Sequence, residues 1–175
     1  HGEELYDHKG ARHCQTLFQE VIHVPLLIKA PGQITAERVH EKVMLLDLTP
    51  TILHMIEAGY NQSSFEGSVL PPYQDTRERR IVSQRPRQIS VEEDDFKLIK
   101  LFHPDEADRI QYGGDYEHLY YLKADPEEQE NVRENKSRVY DRLVEYLAIY
   151  ESSSGGGMNL TEDMKETLRG LGYIE

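Results

Sequence analysis

Residues 79–102, RRIVSQRPRQISVEEDDFKLIKLF, contain three short runs rich in β-branched and aromatic residues, broken by the turn-like PR and EDD. A fourth run, EHLYYLKA (117–124), follows YGGD (112–115). Runs this short, divided by turn residues, predict an antiparallel sheet of about four strands. Downstream, DPEEQENV (125–132) reads as a turn and helix start. It is not a calcium loop, because the alternating acids and central glycine are missing. In KSRVYDRLVEYLAIYE (136–151), Val139, Leu143, Tyr146, Leu147 and Tyr150 recur at helical spacing and predict an amphipathic helix to cover the sheet.

Upstream the pattern changes. VIHVPLLIKAPG (21–32) is a near-continuous apolar run closed by Pro31 and Gly32, which predicts a strand buried on both faces of a parallel sheet. TLFQEV (16–21) predicts a short helix before it. LLDLTPTILHMIEAG (45–59) predicts a helix after it, with Asp47 or Thr49 as cap, Pro50 in the first turn and Gly59 at the end. The Ser-, Gly- and Pro-rich stretch NQSSFEGSVLPPYQ (61–74) has no periodicity and reads as a loop between two parts. SSSGGG (152–157) reads as a tether, and LTEDMKETLRGLGYIE (160–175) as one last short helix. The fold class expected is therefore α/β. Residues 1–60 would be the distal part of a larger α/β domain, 61–74 a linker, and 75–175 an α+β subdomain of about four antiparallel strands packed on a C-terminal helix.

Composition narrows the function. With 32 acidic and 20 basic side chains in 175 residues the net charge is −12, which repels phosphate backbones and anionic lipid, so no nucleic-acid or membrane partner is expected. A single cysteine, Cys14, excludes an intrachain disulfide framework and a cysteine-rich zinc site. Asn61, Asn135 and Asn159 stand in N-x-S/T context, a short pattern that also arises by chance. The opening HGEELYDHKGARH (1–13) is dense in metal-competent and acid–base groups. If His1 were a mature terminus, its amino group and imidazole, with His8 or His13, would suit a copper brace; the strand-and-helix pattern and the absence of tryptophan argue against it.

HGEELYDH (1–8), RHCQTLFQEVIHVPLLIKAPG (12–32), VMLLDLTPTIL (43–53), FKLIKLF (96–102), HLYYLKADPEEQENV (118–132) and LRGLGYI (168–174) occur in an order and at spacings that resemble the distal half of a sulfatase of the alkaline phosphatase superfamily. The resemblance implies hydrolysis of a sulfate ester or sulfamate, with Ca²⁺ or Mg²⁺ as cofactor and a formylglycine nucleophile lying outside this chain. It places His1 at a metal-ligand position and His13 near the catalytic, sulfate-binding Lys or His. Arg12 and His8 follow as substrate contacts, although Asp7 and His8 also fit a role in loop structure. Glu20 would support the site or the next helix; His23, His40 and His54 read as packing residues; His103, Tyr112, Asp115 and His118 read as solvated turn residues. His13 lies one residue past the usual lysine offset, with Cys14 where glycine often stands.

The partners implied are the missing N-terminal half of the same protein and a sulfated small molecule or glycan, in a periplasmic, secreted or otherwise extracytoplasmic setting. The fragment alone is expected to bind no metal tightly, to turn over no aryl sulfate, and to concentrate its order after about Gln74. Three further functions fit the same residues: a phosphoesterase or phosphotransferase of the superfamily, a non-catalytic interaction module, and the copper enzyme above.

Overall fold

A computed structural model describes residues 2–11, 16–74 and 79–153. Its centre is a four-stranded antiparallel sheet in sequence order, with β1 (Ile81–Arg85), β2 (Gln88–Glu93), β3 (Phe96–Leu101) and β4 (Glu117–Tyr121). Both tight turns use a left-handed residue in a two-residue loop. Arg87 (φ 73) follows Pro86 between β1 and β2, and Asp94 (φ 52) precedes Asp95 between β2 and β3. The Asp94–Asp95 loop, with positive φ first, has the primed-turn pattern that matches strand twist, whereas Pro86–Arg87, with proline first and positive φ second, has the type II pattern.

Successive side chains of a strand point to opposite faces, so each strand contributes to two different interiors. One face is apolar: Ile89, Val91, Leu98 and Leu119 are fully buried against Leu143 and Leu147 of α4 (Ser137–Ser153), with Val82, Phe96, Val139 and Tyr146 at the margin. The predicted helix face is thus the observed one for Val139, Leu143, Tyr146 and Leu147; the Tyr150 side chain lies outside the described ones. The opposite face is mixed. Ile99, Leu101 and Tyr120 meet Leu17, Phe18 and Tyr112, while Gln88, Ser90, Glu92, Lys97 and His118 are buried among them.

A helix that the turn reading missed supplies Tyr112. In α3 (Glu106–Tyr112), Asp105 and Asp108 form a reciprocal capping box and Gly113 (φ 67) ends the helix in the left-handed conformation. The signals were there, in PDEADRIQYGG. Tyr112 and His118 are accordingly buried rather than solvated, whereas His103 and Asp115 are exposed.

The buried parallel strand over 21–32 is not present. Val21 and Ile22 close α1 (Gln19–Ile22), and 23–30 run without a ladder, leaving Leu27 88% exposed. An apolar run becomes a strand only where neighbours accept its N–H and C=O groups, and no described segment offers them. His23, His40 and His54, expected to pack, are exposed.

The 45–59 helix forms as a 3₁₀ turn (Leu45–Asp47) running into α2 (Leu48–Met55), ending before Gly59. Asp47 is its anchor but not by capping α2. Its fully buried carboxylate accepts from the Met44 and Ser68 amides and from both terminal nitrogens of Arg79, just before β1. Burial pushes the Asp47 carboxyl up, and the Arg79 and amide hydrogen bonds outweigh it, so the group is held below the usual carboxylate value. Residues 154–175, with the closing LRGLGYI, lie outside the described residues.

Candidate functional site

Of the four residues singled out from the sequence, His1, Arg12 and His13 lie outside the described residues, as does Cys14; His8 lies within them. What the structure shows is the base from which those positions spring. The Gly2 amide donates to the Val21 carbonyl (3.0 Å), tying the chain beside His1 to α1. Closeness is required there, since a Cβ on Gly2 would sit 1.8 Å from the Glu20 carbonyl oxygen. On the far side of residues 12–15, the Thr16 hydroxyl donates to Glu4 Oε1 (2.5 Å), and Gln111 of α3 donates to Glu4 Oε2 (3.2 Å). Glu4 and Thr16 are both buried. Between them the loop folds on itself, with Tyr6 (φ 74) donating its amide to the Gly10 carbonyl at 2.8 Å.

His8 is a second buried contact of the loop with the body. Its ring lies flat on Phe18, 3.5 Å between centroids, and Phe18 in turn stacks on Tyr112. His8 Nδ1 donates to Glu20 Oε1 (2.7 Å), and Nε2 lies 3.1 Å from the Glu128 carbonyl oxygen. Gln129 Nε2 also lies 3.3 Å from His8 Nε2, so the ring meets a carboxylate at Nδ1 and both a carbonyl and an amide nitrogen at Nε2. Burial pulls the His8 pKa down, but the Glu20 hydrogen bond and the Glu128 carbonyl outweigh it and leave it raised. Glu20 is the mirror case: burial pushes it up, the His8 hydrogen bond outweighs that, and it is lowered.

Beneath this pair is an ionic network that sequence reasoning did not find. Lys97 of β3 and Glu128 are both fully buried, Nζ to Oε1 2.7 Å, at an angle that makes them an ion pair rather than an aligned hydrogen bond. Glu92, directly across the ladder from Lys97, accepts from Gln19 Nε2 (2.7 Å) and Lys42 Nζ (3.1 Å). Desolvation dominates both members of the inner pair, lowering Lys97 and raising Glu128, with the opposite charge resisting in each case. Lys97 was hidden because FKLIKLF was read for its apolar content; strand alternation puts Lys97 on the same face as Ile99 and Leu101. Glu128 was hidden inside DPEEQE, which is a turn, as read, but one whose fourth residue points inward.

These groups are committed to one another. Among the described residues no three metal-competent side chains converge, and the buried carboxylates Glu4, Asp47, Glu92 and Glu128 each have protein partners. The arrangement is a rigid support for a loop.

No family model matches the chain, and no curated protein matches it by sequence. Solved structures do. A crystal structure of a candidate sulfatase from Bacteroides thetaiotaomicron VPI-5482 superposes over 87% of this chain and 34% of its own, with 20% identity and a TM-score of 0.63. The fold is sulfatase-like. A second Bacteroides thetaiotaomicron protein, from a locus for metabolism of multiple glycosaminoglycans, matches 61% of this chain and 24% of its own at 21% identity, but its TM-score of 0.48 is too low to bear on the fold. The chain spans about a third of the length of the first of these structures. No helix among the described residues is long and apolar enough to cross a membrane.

Proposed function

We propose that this chain is the distal part of a sulfatase that hydrolyses sulfate esters or sulfamates in an extracytoplasmic compartment. The observation that carries the reading is the clamped 2–11 loop: the segment whose block order resembles a sulfatase site is fastened over a buried ionic network through His8, Glu20, Lys97 and Glu128. Agreement over 87% of the chain with a candidate sulfatase supports it at the level of fold.

In this reading the polypeptide upstream supplies the formylglycine nucleophile and the acidic ligands of Ca²⁺ or Mg²⁺, which would polarise sulfate oxygens when bound. This chain supplies His1 beside those ligands. His13 or Arg12 provides positive charge for the nonbridging oxygens or the leaving group. The described residues contribute support, since a misplaced group loses much of its effect on the transition state. The substrate class is a sulfated small molecule or glycan.

The test joins this chain to its upstream polypeptide, in a host that makes formylglycine, and measures sulfate release from an aryl sulfate beside phosphate release from the matching aryl phosphate. Sulfate turnover lost on replacing the upstream nucleophile, and on His13→Ala, is the expected result. Phosphate release with no sulfate release would replace the reading with a phosphoesterase. Turnover by the 175-residue chain alone would also sink it.

A further inference from the structure

We propose that Glu128 is a positioning residue: through its carboxylate and its backbone carbonyl, it locks α1 and the 2–11 loop to the sheet. Each of its polar groups serves a different element. Oε2 accepts the Gln19 amide at 2.6 Å, Oε1 faces Lys97 Nζ of β3 at 2.7 Å, and the carbonyl accepts from His8 Nε2 at 3.1 Å. The three partners lie 109, 31 and 120 positions away in sequence, so the residue joins parts that nothing local holds together.

The Gln19 contact is the informative one. A helix leaves its first amides without partners and usually takes an acceptor from its own N-cap side chain. Here the N-cap residue is Phe18, which has none, and α1 is only four residues long. Glu128 supplies the missing acceptor from across the fold. The Val21 carbonyl of the same helix accepts the Gly2 amide, so the cap acts on the helix that holds the start of the loop.

Glu128 is built for this. It sits at φ 54, a left-handed conformation unfavourable for a non-glycine residue. The Asp125 carboxylate sustains it by accepting the Gln129 and Glu130 amides at 3.0 and 2.8 Å, while the Glu128 amide donates to the Asp125 carbonyl at 3.2 Å. An ordinary surface turn has no need of an inward, strained and fully buried carboxylate.

Only the catalytic consequence rests on the sulfatase reading. Two double variants isolate the cap, because both remove the buried charges together: Glu128→Ala with Lys97→Met, and Glu128→Gln with Lys97→Met. Only the second keeps an acceptor for Gln19. In the longer protein, amide exchange at Gly2, Tyr6 and Gln19 should rise about tenfold to a hundredfold in the alanine pair, and stay near wild type in the glutamine pair, while β2 and β3 remain protected in both. The alanine pair should lose about tenfold in kcat with KM little changed, and the glutamine pair should recover it. Equal exchange in the two pairs at those three amides would overturn the proposal, as would equal kcat with unequal exchange for the catalytic part. If exchange separates the pairs while the wild-type protein releases no sulfate, the lock stands and the sulfatase reading falls.

Discussion

Replacing Lys97 with methionine keeps the length of the stem and deletes the charge. At 2.7 Å the pair attracts by about 6 kcal/mol for an effective dielectric of about 20, most of which offsets the cost of taking two ions out of water. The variant loses the attraction and leaves Glu128 buried within the field of Glu20. Breaking a buried pair from one side costs about 3–5 kcal/mol, a fall of about 6–20 °C in Tm for a chain of this size. The loss should also depend on pH. Glu128 is already raised above its ordinary 4.5, and without Lys97 it rises further. A folded-state pKa above the unfolded one penalises the fold at pH values above 4.5, so Lys97→Met should be closer to wild type near pH 5 than at pH 7. Adding Glu128→Gln removes the orphan charge and should return the stability to within about 1–2 kcal/mol of wild type. Urea unfolding of all four members of the cycle at pH 5 and 7 measures this. A single-variant loss below about 1 kcal/mol, or a double variant worse than either single, would refute the account of Lys97 and Glu128 as a desolvated ion pair.

Three further outcomes follow from other contacts. The His8–Glu20 pair should contribute most between pH 4.5 and 6.5: raised His8 loses its contribution as pH climbs past 6.5, and lowered Glu20 loses its own as pH falls below 4.5. The gap in Tm between wild type and His8→Gln, followed across pH, should peak in that window, and a gap that is flat or widest at pH 8 would count against the pairing. Gly67→Ala places a Cβ 2.1 Å from the Leu46 carbonyl oxygen and should cost about 1–3 kcal/mol, whereas Gly59→Ala meets open space and should change stability by less than about 0.5 kcal/mol in the same urea titration. Asp47→Ala strands Arg79 and removes two amide acceptors, so amides of 44–70 should lose exchange protection while β2 and β3 keep theirs; uniform loss across the chain would show that Asp47 serves the whole fold instead.

The sequence alone determined the elements whose signals are local. Alternation and turn residues fixed β1 to β4, and helical spacing of Val139, Leu143 and Leu147 fixed α4 and the face it buries. Glu20, given a supporting role by the sulfatase resemblance, hydrogen-bonds His8. The capping box at Asp105 and Asp108 was equally local and was overlooked among turn residues. Tertiary structure decided everything that depends on a partner distant in sequence. VPLLI lacks a ladder because hydrogen-bond partners for a strand are never its own residues. Lys97 and Glu128, 31 positions apart, become an ion pair only because the sheet's second face is closed by α1 and the 2–11 loop. Burial and charge pairing are properties of assembled surfaces, and a linear pattern carries periodicity but not the identity of what will lie across the gap.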